Sequence, residues 1–466
     1  MPTRSFLRAI VLFALLAVAA RADIASDYAA ITSTLTTINA GGGTPGDCAI
    51  FGRTAFPFIR DTGDATLGAA GLYNDSATGG RGACLTHTVF FDSTDATRAT
   101  LLDNLAKWAG KKALPLIGVQ TGQTALVTFF QGKGYTVRTI NSTSSNLTTG
   151  GAVDVYFLSA HNSYGLANTQ AFTAAGGGLV VVATPWALSA SAFSTAQTLL
   201  TPFGIGFTGA YAGAGSLAIP ATPYSNYHSA LLAVDALILD RAGTITLSLA
   251  DKTLCSGSID KVFSVRSDIT ELNTLVENLS TSYGWIAPTK AVPLVKASKP
   301  VEAMLARYQW RTKFDVLPAN QLGSLFPGGV HPGASDWPGL PAAGSTVTKV
   351  VAVNGNTPTD VFMNQGSKPT RIETGLYAAP GATINIAIPA NKTGAGLQVH
   401  IGGSEDDCFN LSSWSNFPRI WRRIPLTAAS SDVGHVFGGL ITLLVPAGSS
   451  LGAFNVTITG DRKSVV

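Results

Sequence analysis

The sequence predicts a doubly wound α/β domain followed by an antiparallel β-sandwich. Between Asp47 and Leu200, short apolar runs alternate with amphipathic helical patterns, which is typical of α/β folds. A segment dense in proline and glycine, 317–345, then interrupts regular structure. From Thr346 onward the apolar residues recur with a period of two, as in antiparallel sheets that bury one face.

The first 22 residues have the pattern of a secretory signal peptide. Arg4 and Arg8 give a positive start, 9–19 is apolar, and Ala20-Arg21-Ala22 fits a cleavage site. The apolar run is shorter than the ~20 residues that a membrane span needs. We therefore predict cleavage before Asp23 and a secreted, extracellular protein without a stable membrane span.

Removal of this segment also changes the charge. It takes away three arginines and no acid, so the formal net charge falls from +4 to +1. The remaining sequence has no stripe of lysine and arginine, which nucleic-acid-binding surfaces require. The sequence therefore predicts no nucleic-acid partner.

The α/β domain is assigned to 23–300. Several of its strand-like runs lack polar alternation, which predicts parallel strands covered on both faces. Glycines at 132, 134 and 176–178 stand where helices end. The predicted strands are Cys48–Phe51, Thr88–Phe91, Pro115–Val119, Tyr135–Ile140, Val153–Leu158 and Leu179–Ala183, and the predicted helices are Thr100–Trp108, Thr124–Gln131, Asn168–Ala175 and one that begins near Asp268.

The segment 301–345 combines a helix, Val301–Trp310, with the proline- and glycine-rich stretch. Such a stretch cannot continue a helix or a central strand, so it is either a linker or an ordered crossing. The β-sandwich is assigned to 346–460. Its predicted strands are Val347–Val353, Thr383–Ile388, Leu397–Ile401, Ile420–Ile424, Leu440–Val445 and Phe454–Ile458.

The last six residues, 461–466, follow the final apolar strand. The codons GAT CGG AAG AGC GTC GTG encode these residues and match a common sequencing adapter. We therefore predict that the natural reading frame departs from this sequence after Gly460. A native polar tail is the alternative.

Four motifs in the C-terminal region carry a family resemblance. They are TGLYAAPG (374–381), GLQVHIGGSEDD (396–407), WSNFPRIWRRIPL (414–426) and GHVFGGLITLLVP (434–446). In this order they resemble the opening β-domain of the enhancin-like metallopeptidases (peptidase family M60) and of the channel-associated factors of animals. The segment GGGLVVVATPWAL (176–188) resembles the same families. The resemblance implies a glutamine-amidotransferase-like α/β domain and an ordered crossing at 317–345.

The resemblance also implies zinc in a full-length relative, bound by an HExxH helix further along the chain. HExxH places two histidines on one helical face with a glutamate as general base. The six histidines, at 87, 161, 228, 331, 400 and 435, contain no pair with that spacing. We therefore predict no catalytic residue and no metal ligand in this chain, and expect His400 and His435 to be structural.

The α/β domain is predicted to be catalytically silent. A serine hydrolase needs a G-x-S-x-G elbow, which the sequence lacks. A glutamine amidotransferase would need a cysteine at such an elbow. The residues after two predicted strands are Ser159-Ala160-His161 and Thr184-Pro185-Trp186, and neither set contains a thiol.

Two surface features of the β-domain remain. Glu405, Asp406 and Asp407 form an acidic turn, which is either solvated or a calcium site built from oxygen ligands. Three aromatic residues alternate with arginines nearby, and they belong either to the core or to a glycan contact. These residues are Trp414, Phe417 and Trp421 with Arg419, Arg422 and Arg423.

In a secreted chain, Cys48, Cys84, Cys255 and Cys408 are disulfide candidates. Three pairings are open. Seven Asn-x-Ser/Thr sequons are candidates for N-glycosylation in a eukaryotic secretory pathway. They begin at Asn74, Asn141, Asn146, Asn278, Asn391, Asn410 and Asn455.

These observations predict the non-catalytic N-terminal portion of a secreted enhancin-like zinc metallopeptidase that acts on mucin-like glycoproteins. The chain itself is expected to be inactive and to contact a glycoprotein or glycan substrate. The alternative is a secreted, non-enzymatic protein that binds glycans or proteins, resembling the channel-associated factors.

Overall fold

The computed structural model describes residues 24–60, 68–74, 80–147, 153–211, 215–326, 329–341, 344–357 and 368–463. The chain divides into two compact units, Met1–Leu275 and Val276–Val466. The boundary predicted at residue 300 therefore falls inside the second unit. The predicted signal peptide lies outside the described residues. Among the described residues, every helix is too short or too polar to cross a bilayer.

The first unit contains helices and strands in alternation. Its helices are α1 (24–32), α2 (Ala96–Gly110), α3 (Thr124–Gly132), α4 (Leu166–Ala174), α5 (Ala190–Leu200), α6 (Ala230–Arg241) and α7 (Leu249–Val265), and α8 (Thr270–Tyr283) contains the unit boundary. Its strands are β1 (Thr37–Asn39), β2 (Gly46–Ile50), β3 (Ala55–Arg60), β4 (Gly68–Asn74), β5 (Arg81–Leu85), β6 (Ile117–Gln120), β7 (Val137–Ile140), β8 (Val155–Ser159), β9 (Gly178–Val182), β10 (Ile205–Tyr211) and β11 (Ser216–Ala218).

A seven-stranded sheet with the order β3-β4-β5-β9-β8-β6-β7 forms the centre of the first unit. Strands β5, β9, β8, β6 and β7 are parallel. Along β8, Val155 and Phe157 belong to one buried cluster, and Tyr156 and Leu158 belong to another. Both faces of the sheet are therefore covered, which confirms the predicted α/β class.

Two antiparallel strands, β3 and β4, extend this sheet at one edge. Strand β3 was not predicted from the sequence, and it contains Pro57, although proline is rare inside strands. Pro57 is accommodated where the register between β3 and β4 shifts, next to Ile59. The predicted strand at Cys48 is present as β2, but it pairs antiparallel with β10 in a separate ladder.

The strand predicted at Thr88–Phe91 is wrong, because these residues form a 3-10 turn. The His87 imidazole starts the turn, and its Nδ1 accepts a hydrogen bond from the Val89 amide at 3.0 Å. Phe90 and Phe91 are buried. A short apolar run does not distinguish a buried strand from a buried turn.

The helix ends follow the predicted chemistry. Asp95 accepts hydrogen bonds from the Thr97 and Arg98 amides at the start of α2, as an N-cap does. Gly134 after α3 has φ +84° and Gly176 after α4 has φ +89°. A side chain would be strained in this left-handed conformation, so glycine stops both helices.

The second unit is mainly β-structure. Its helices are α9 (Pro300–Gln309), continued by a π-turn (Trp310–Phe314), and the short α10 (Ala319–Leu322). Its strands are β12 (Leu294–Val295), β13 (Val347–Asn356), β14 (Thr370–Ala378), β15 (Ile384–Ala387), β16 (Gln398–Gly402), β17 (Ser413–Trp414), β18 (Trp421–Pro425), β19 (Ser430–Val433), β20 (Gly439–Val445) and β21 (Ser450–Lys463).

Two antiparallel ladders share the long strand β21. The first ladder has the order β18-β16-β20-β14, and β14 pairs with the end of β21. In the second ladder, β13 and β15 both pair with β21, and β19 pairs with β15. Buried side chains of both ladders form one cluster, which includes Val353, Val399 and Ile458. The predicted antiparallel β-region is therefore confirmed. Strand β21 includes residues 461–463, and 464–466 lie outside the described residues.

The segment 317–345 is ordered where the structure describes it. Phe326 and Ala334 are buried, and His331 is fully buried. Their burial supports the ordered crossing over the linker.

Candidate functional site

In the first unit, polar side chains meet after the carboxyl ends of the parallel strands β5, β8 and β9. His161 Nε2 accepts a hydrogen bond from the Thr184 amide at 2.9 Å. His87 follows β5, and burial together with the nearby His161 lowers its pKa. Burial also lowers the pKa of His161. Ligands of open α/β sheets bind at this edge.

The two described histidines at this edge are engaged by the backbone. His161 Nε2 already accepts a backbone hydrogen bond, and so does His87 Nδ1. The residues that follow β8 and β9 supply hydroxyl groups but no thiol. The predicted catalytic silence of this domain stays a prediction, and these hydrogen bonds are its structural basis.

The second unit has a polar row across the outer face of one ladder. Arg423 of β18 pairs with His400 of β16, and His400 pairs with Thr442 of β20. Thr442 in turn donates from Oγ1 to Glu373 Oε2 of β14 at 2.7 Å. Paired residues of antiparallel strands point to the same face. The next pair along these strands, Ile401 and Ile441, points into the core. The polar row therefore lies on the other face of the ladder.

Glu405 lies over this row and contacts its arginine and histidine side chains. Arg371 Nη1 donates to Glu405 Oε1 at 2.6 Å, and Arg423 Nη2 donates to Oε2 at 2.6 Å. Burial opposes ionisation of Glu405, but the two guanidinium groups outweigh it and lower the pKa of the carboxyl. His400 Nε2 lies 3.9 Å from Glu405 Oε1. Burial lowers the pKa of His400 to about 4, although Glu405 opposes this effect.

The acidic turn does not form a calcium site in the described residues. Glu405 is held by two arginines, and Asp407 Oδ1 accepts the Phe409 amide at 3.1 Å. Among the residues that the structure describes, no cluster of histidine, cysteine and acidic side chains could hold a metal ion. The residues present therefore do not fit the zinc that the family resemblance implies for a full-length relative.

The aromatic residues predicted as core or glycan contacts are mainly core. Trp414 and Phe417 are each 2% exposed. Trp421 is half-buried, and its Nε1 donates to the Asp406 carbonyl at 2.9 Å. The Arg419 guanidinium carbon lies 3.8 Å from the centre of the Trp421 ring, and the His400 ring lies 5.8 Å from it. These neighbours leave little of the indole free to stack on a sugar.

The other two arginines of this motif also have partners. Arg422 Nη1 donates to the Leu317 carbonyl at 2.9 Å, while Arg423 is engaged with Glu405. Burial lowers the pKa of both Arg419 and Arg422, against the nearby charge of Asp315. The motif WSNFPRIWRRIPL therefore mainly holds loops against the sheet.

A more accessible aromatic residue, which the sequence analysis did not single out, is Trp337. Its side chain is 50% exposed, beside Leu340 at 59% and Leu440 at 38%. Trp337 lies near the strand partner of Leu440, because a Cβ placed on Gly403 would lie 3.5 Å from Trp337 Nε1. The neighbouring Gly402 pairs with Leu440. Among the described residues, neither an aromatic ring nor a cationic side chain stacks on the Trp337 indole. We call Trp337, Leu340 and Leu440 the Trp337 patch.

The histidines of the second unit are buried. His331 and His435 are 0% and 1% exposed, and desolvation lowers the pKa of each to about 3. His331 Nδ1 accepts the Gly333 amide at 3.0 Å, and its ring packs 4.4 Å from the Phe437 ring. These contacts agree with the structural role predicted for His400 and His435, and His331 joins them.

The four cysteines are not bonded to one another in this structure, and the predicted disulfides stay a prediction. Cys48, Cys84 and Cys255 are buried, and Cys408 is half-buried. Five sequon asparagines are exposed: Asn141, Asn278, Asn391, Asn410 and Asn455. Asn146 is half-buried, and its Nδ2 donates to the Thr139 carbonyl at 3.0 Å. The side chain of Asn74 lies outside the described residues.

Family comparisons agree with both parts of this fold. Residues 354–459 match the N-terminal domain of M60-like peptidases, and residues 7–222 match the family TCAF_N, described as the TRPM8 N-terminal domain. TRPM8 channel-associated factor 1 of Bos taurus is 24% identical over 90% of this chain and 44% of its own length. TRPM8 channel-associated factor 2 of Homo sapiens is 23% identical over the same shares. The chain thus spans less than half the length of these relatives.

Solved structures share the fold. IMPa from Pseudomonas aeruginosa in complex with an O-glycopeptide has a TM-score of 0.51 and 16% identity, over 99% of this chain and 55% of that chain. The IMPa metallopeptidase in complex with T-antigen has a TM-score of 0.52 and 17% identity, over the same shares.

An α/β unit followed by antiparallel ladders is therefore the architecture of a protein related to M60-like metallopeptidases. Its sequence and fold are similar to those of the M60-like peptidases and the channel-associated factors. This result confirms the resemblance that the four C-terminal motifs predicted.

Proposed function

We propose that this chain is the non-catalytic N-terminal portion of a secreted M60-like zinc metallopeptidase that acts on mucin-like glycoproteins. The observation that carries the proposal is the match of 354–459 to the M60-like N-terminal domain in a chain without HExxH. The first unit would be a glutamine-amidotransferase-like α/β domain without catalytic function. Zinc and proteolysis would belong to the remainder of a full-length relative.

The proposal predicts that residues 23–460 alone are inactive. Elemental analysis of the purified polypeptide should find no more than a trace of zinc, on the order of 0.1 equivalent, because the described residues contain no cluster of metal ligands. It should also leave O-glycosylated mucin intact on gels. Zinc-dependent cleavage of mucin by this polypeptide would overturn the proposal.

The Trp337 patch is the proposed contact for the glycan of the substrate. Sugar rings have apolar faces that pack against exposed indoles, and Trp337 presents half of its surface. Leu340 and Leu440 extend the apolar area beside it. The IMPa structure with an O-glycopeptide supports this choice of ligand for a related fold.

Trp337→Ala is therefore expected to weaken binding of an O-glycopeptide about tenfold or more, since burial of an aromatic side chain contributes about 1.5–3 kcal/mol. Isothermal titration calorimetry measures the effect. Trp186→Ala is the matched control, because Trp186 is 51% exposed but lies in the first unit. Equal affinity of Trp337→Ala and the unaltered protein would remove the patch from the proposal.

The second candidate function is a secreted, non-enzymatic protein that binds glycans or proteins. It is favoured by the channel-associated factors, which align with 90% of this chain. The genomic frame beyond Gly460 distinguishes the two. A downstream HExxH supports the peptidase, and a frame that closes without it supports the binding protein.

A further inference from the structure

Two cysteines from different ladders meet in the core of the first unit. Cys48 lies on β2, which pairs with β10, and Cys84 lies on β5 in the seven-stranded sheet. The Cys48 side chain is 2% exposed, and Cys84 is 0% exposed. Both belong to the same buried cluster.

Gly71 of β4 lies next to both cysteines. Gly71 of β4 is the register partner of Cys84. A Cβ placed on Gly71 would lie 3.4 Å from the Cys48 Sγ. The Cys48 sulfur therefore lies against residue 71, which is the cross-strand neighbour of Cys84. Cys84 is close enough to Cys48 to raise the pKa of its thiol.

The surroundings make the Cys48 thiol a poor nucleophile. The neighbouring Cys84 side chain and burial together raise the pKa of Cys48, although Lys261 opposes this shift. A reactive cysteine instead needs a lowered pKa and access to solvent. The other two cysteines have different neighbours: Cys255 lies near Asp251 and Asp240, and Cys408 lies near Asp406 and Asp407.

We propose that Cys48 and Cys84 form an intramolecular disulfide that joins the β2–β10 ladder to the central sheet, while Cys255 and Cys408 remain thiols. The two thiols lose two protons and two electrons when the S–S bond forms. A disulfide oxidant such as glutathione disulfide accepts them and leaves as two glutathione thiols. Because the folded core is closed to solvent, the bond forms as the chain folds. The inference does not depend on the proposed peptidase or glycan function.

Peptide mapping tests the pairing. Residues 23–466 are refolded in a buffer of reduced and oxidised glutathione, alkylated after denaturation and digested with trypsin without reduction. We expect peptide 23–53 linked to peptide 82–98, and alkylated cysteines in peptides 253–261 and 393–419. Recovery of Cys48 and Cys84 as alkylated thiols, or linked to any other cysteine, would refute the proposal.

Thermal unfolding gives a second readout. Reduction of the oxidised protein should lower its Tm by on the order of 5–10 °C, because the bond constrains the unfolded chain. The Cys48→Ala/Cys84→Ala variant should show no Tm difference between oxidising and reducing buffer, whereas the Cys255→Ala control should keep the full difference. If the double variant does not fold, reduction of the unaltered chain still decides the question. An unchanged Tm on its reduction would contradict the proposal.

Discussion

Lowering the pH from 7 to 5 is expected to reduce the free energy of unfolding by about 2 kcal/mol for each of His331 and His435. Burial lowers the pKa of both side chains to about 3 in the folded protein. In the unfolded chain they titrate near the ordinary value of about 6.5. The unfolded state therefore binds more protons below that pH. The stability that the two histidines confer is complete above pH 6.5 and is lost as the pH falls toward 3.

His331→Asn tests this prediction. The asparagine Oδ1 can accept the Gly333 amide in place of Nδ1, but it does not titrate. In urea unfolding between pH 6 and pH 5, the slope of stability against pH should decrease by about one proton, or ~1.4 kcal/mol per pH unit. Most carboxyl groups titrate below this window. Gln131→Asn, a change between residues that do not titrate at an exposed position, is the control. An unchanged slope for His331→Asn would contradict the prediction.

Lys261→Met is expected to destabilise the protein by about 3–5 kcal/mol, because it removes the ammonium group that pairs with a buried carboxylate. Asp47 on β2 is fully buried. The Lys261 ammonium of α7 lies 3.2 Å from its carboxylate, and its side chain is 14% exposed. Thr208 donates to Asp47 Oδ2 at 3.1 Å, but a neutral hydroxyl does not replace the lost charge.

A double-mutant cycle with Asp47→Asn separates this effect from lost packing. The double variant Asp47→Asn/Lys261→Met should recover about 2 kcal/mol or more relative to the sum of the single variants. All four proteins are unfolded in urea under reducing conditions, so that the adjacent Cys48 remains a thiol in each. Additive losses would show that the ion pair does not govern the stability of this region.

Local patterns were sufficient to predict the class of each unit and part of its helices and strands, although the helices α5, α6 and α7 were not predicted. The uninterrupted apolar run at Leu179 indicated a buried parallel strand, and β9 is one. The period of two after Thr346 indicated antiparallel strands, each of which is present within a few residues of its predicted bounds. β14 was missed, because Gly375 interrupts its alternation at a register shift between Glu373 and Leu376.

The candidate site was much less predictable from residue types. Trp421 stands in a motif rich in aromatic residues and arginines, yet Arg419 and His400 cover it. Trp337 stands in a proline- and glycine-rich crossing and is half exposed. Neither outcome follows from the neighbours in sequence, because the residues that cover or expose an indole come from other strands.

Sequence alone was enough to indicate the class of each unit, the resemblance to the M60-like peptidases and channel-associated factors, and the absence of an HExxH motif from these residues. These properties depend on periodicity and on the order of residues within short segments. Folding was needed to bring Cys48 against Cys84, to surround Glu405 with Arg371 and Arg423, and to leave Trp337 exposed. Each of these depends on contacts between residues far apart in the chain, which the register of the strands and the packing of the core set.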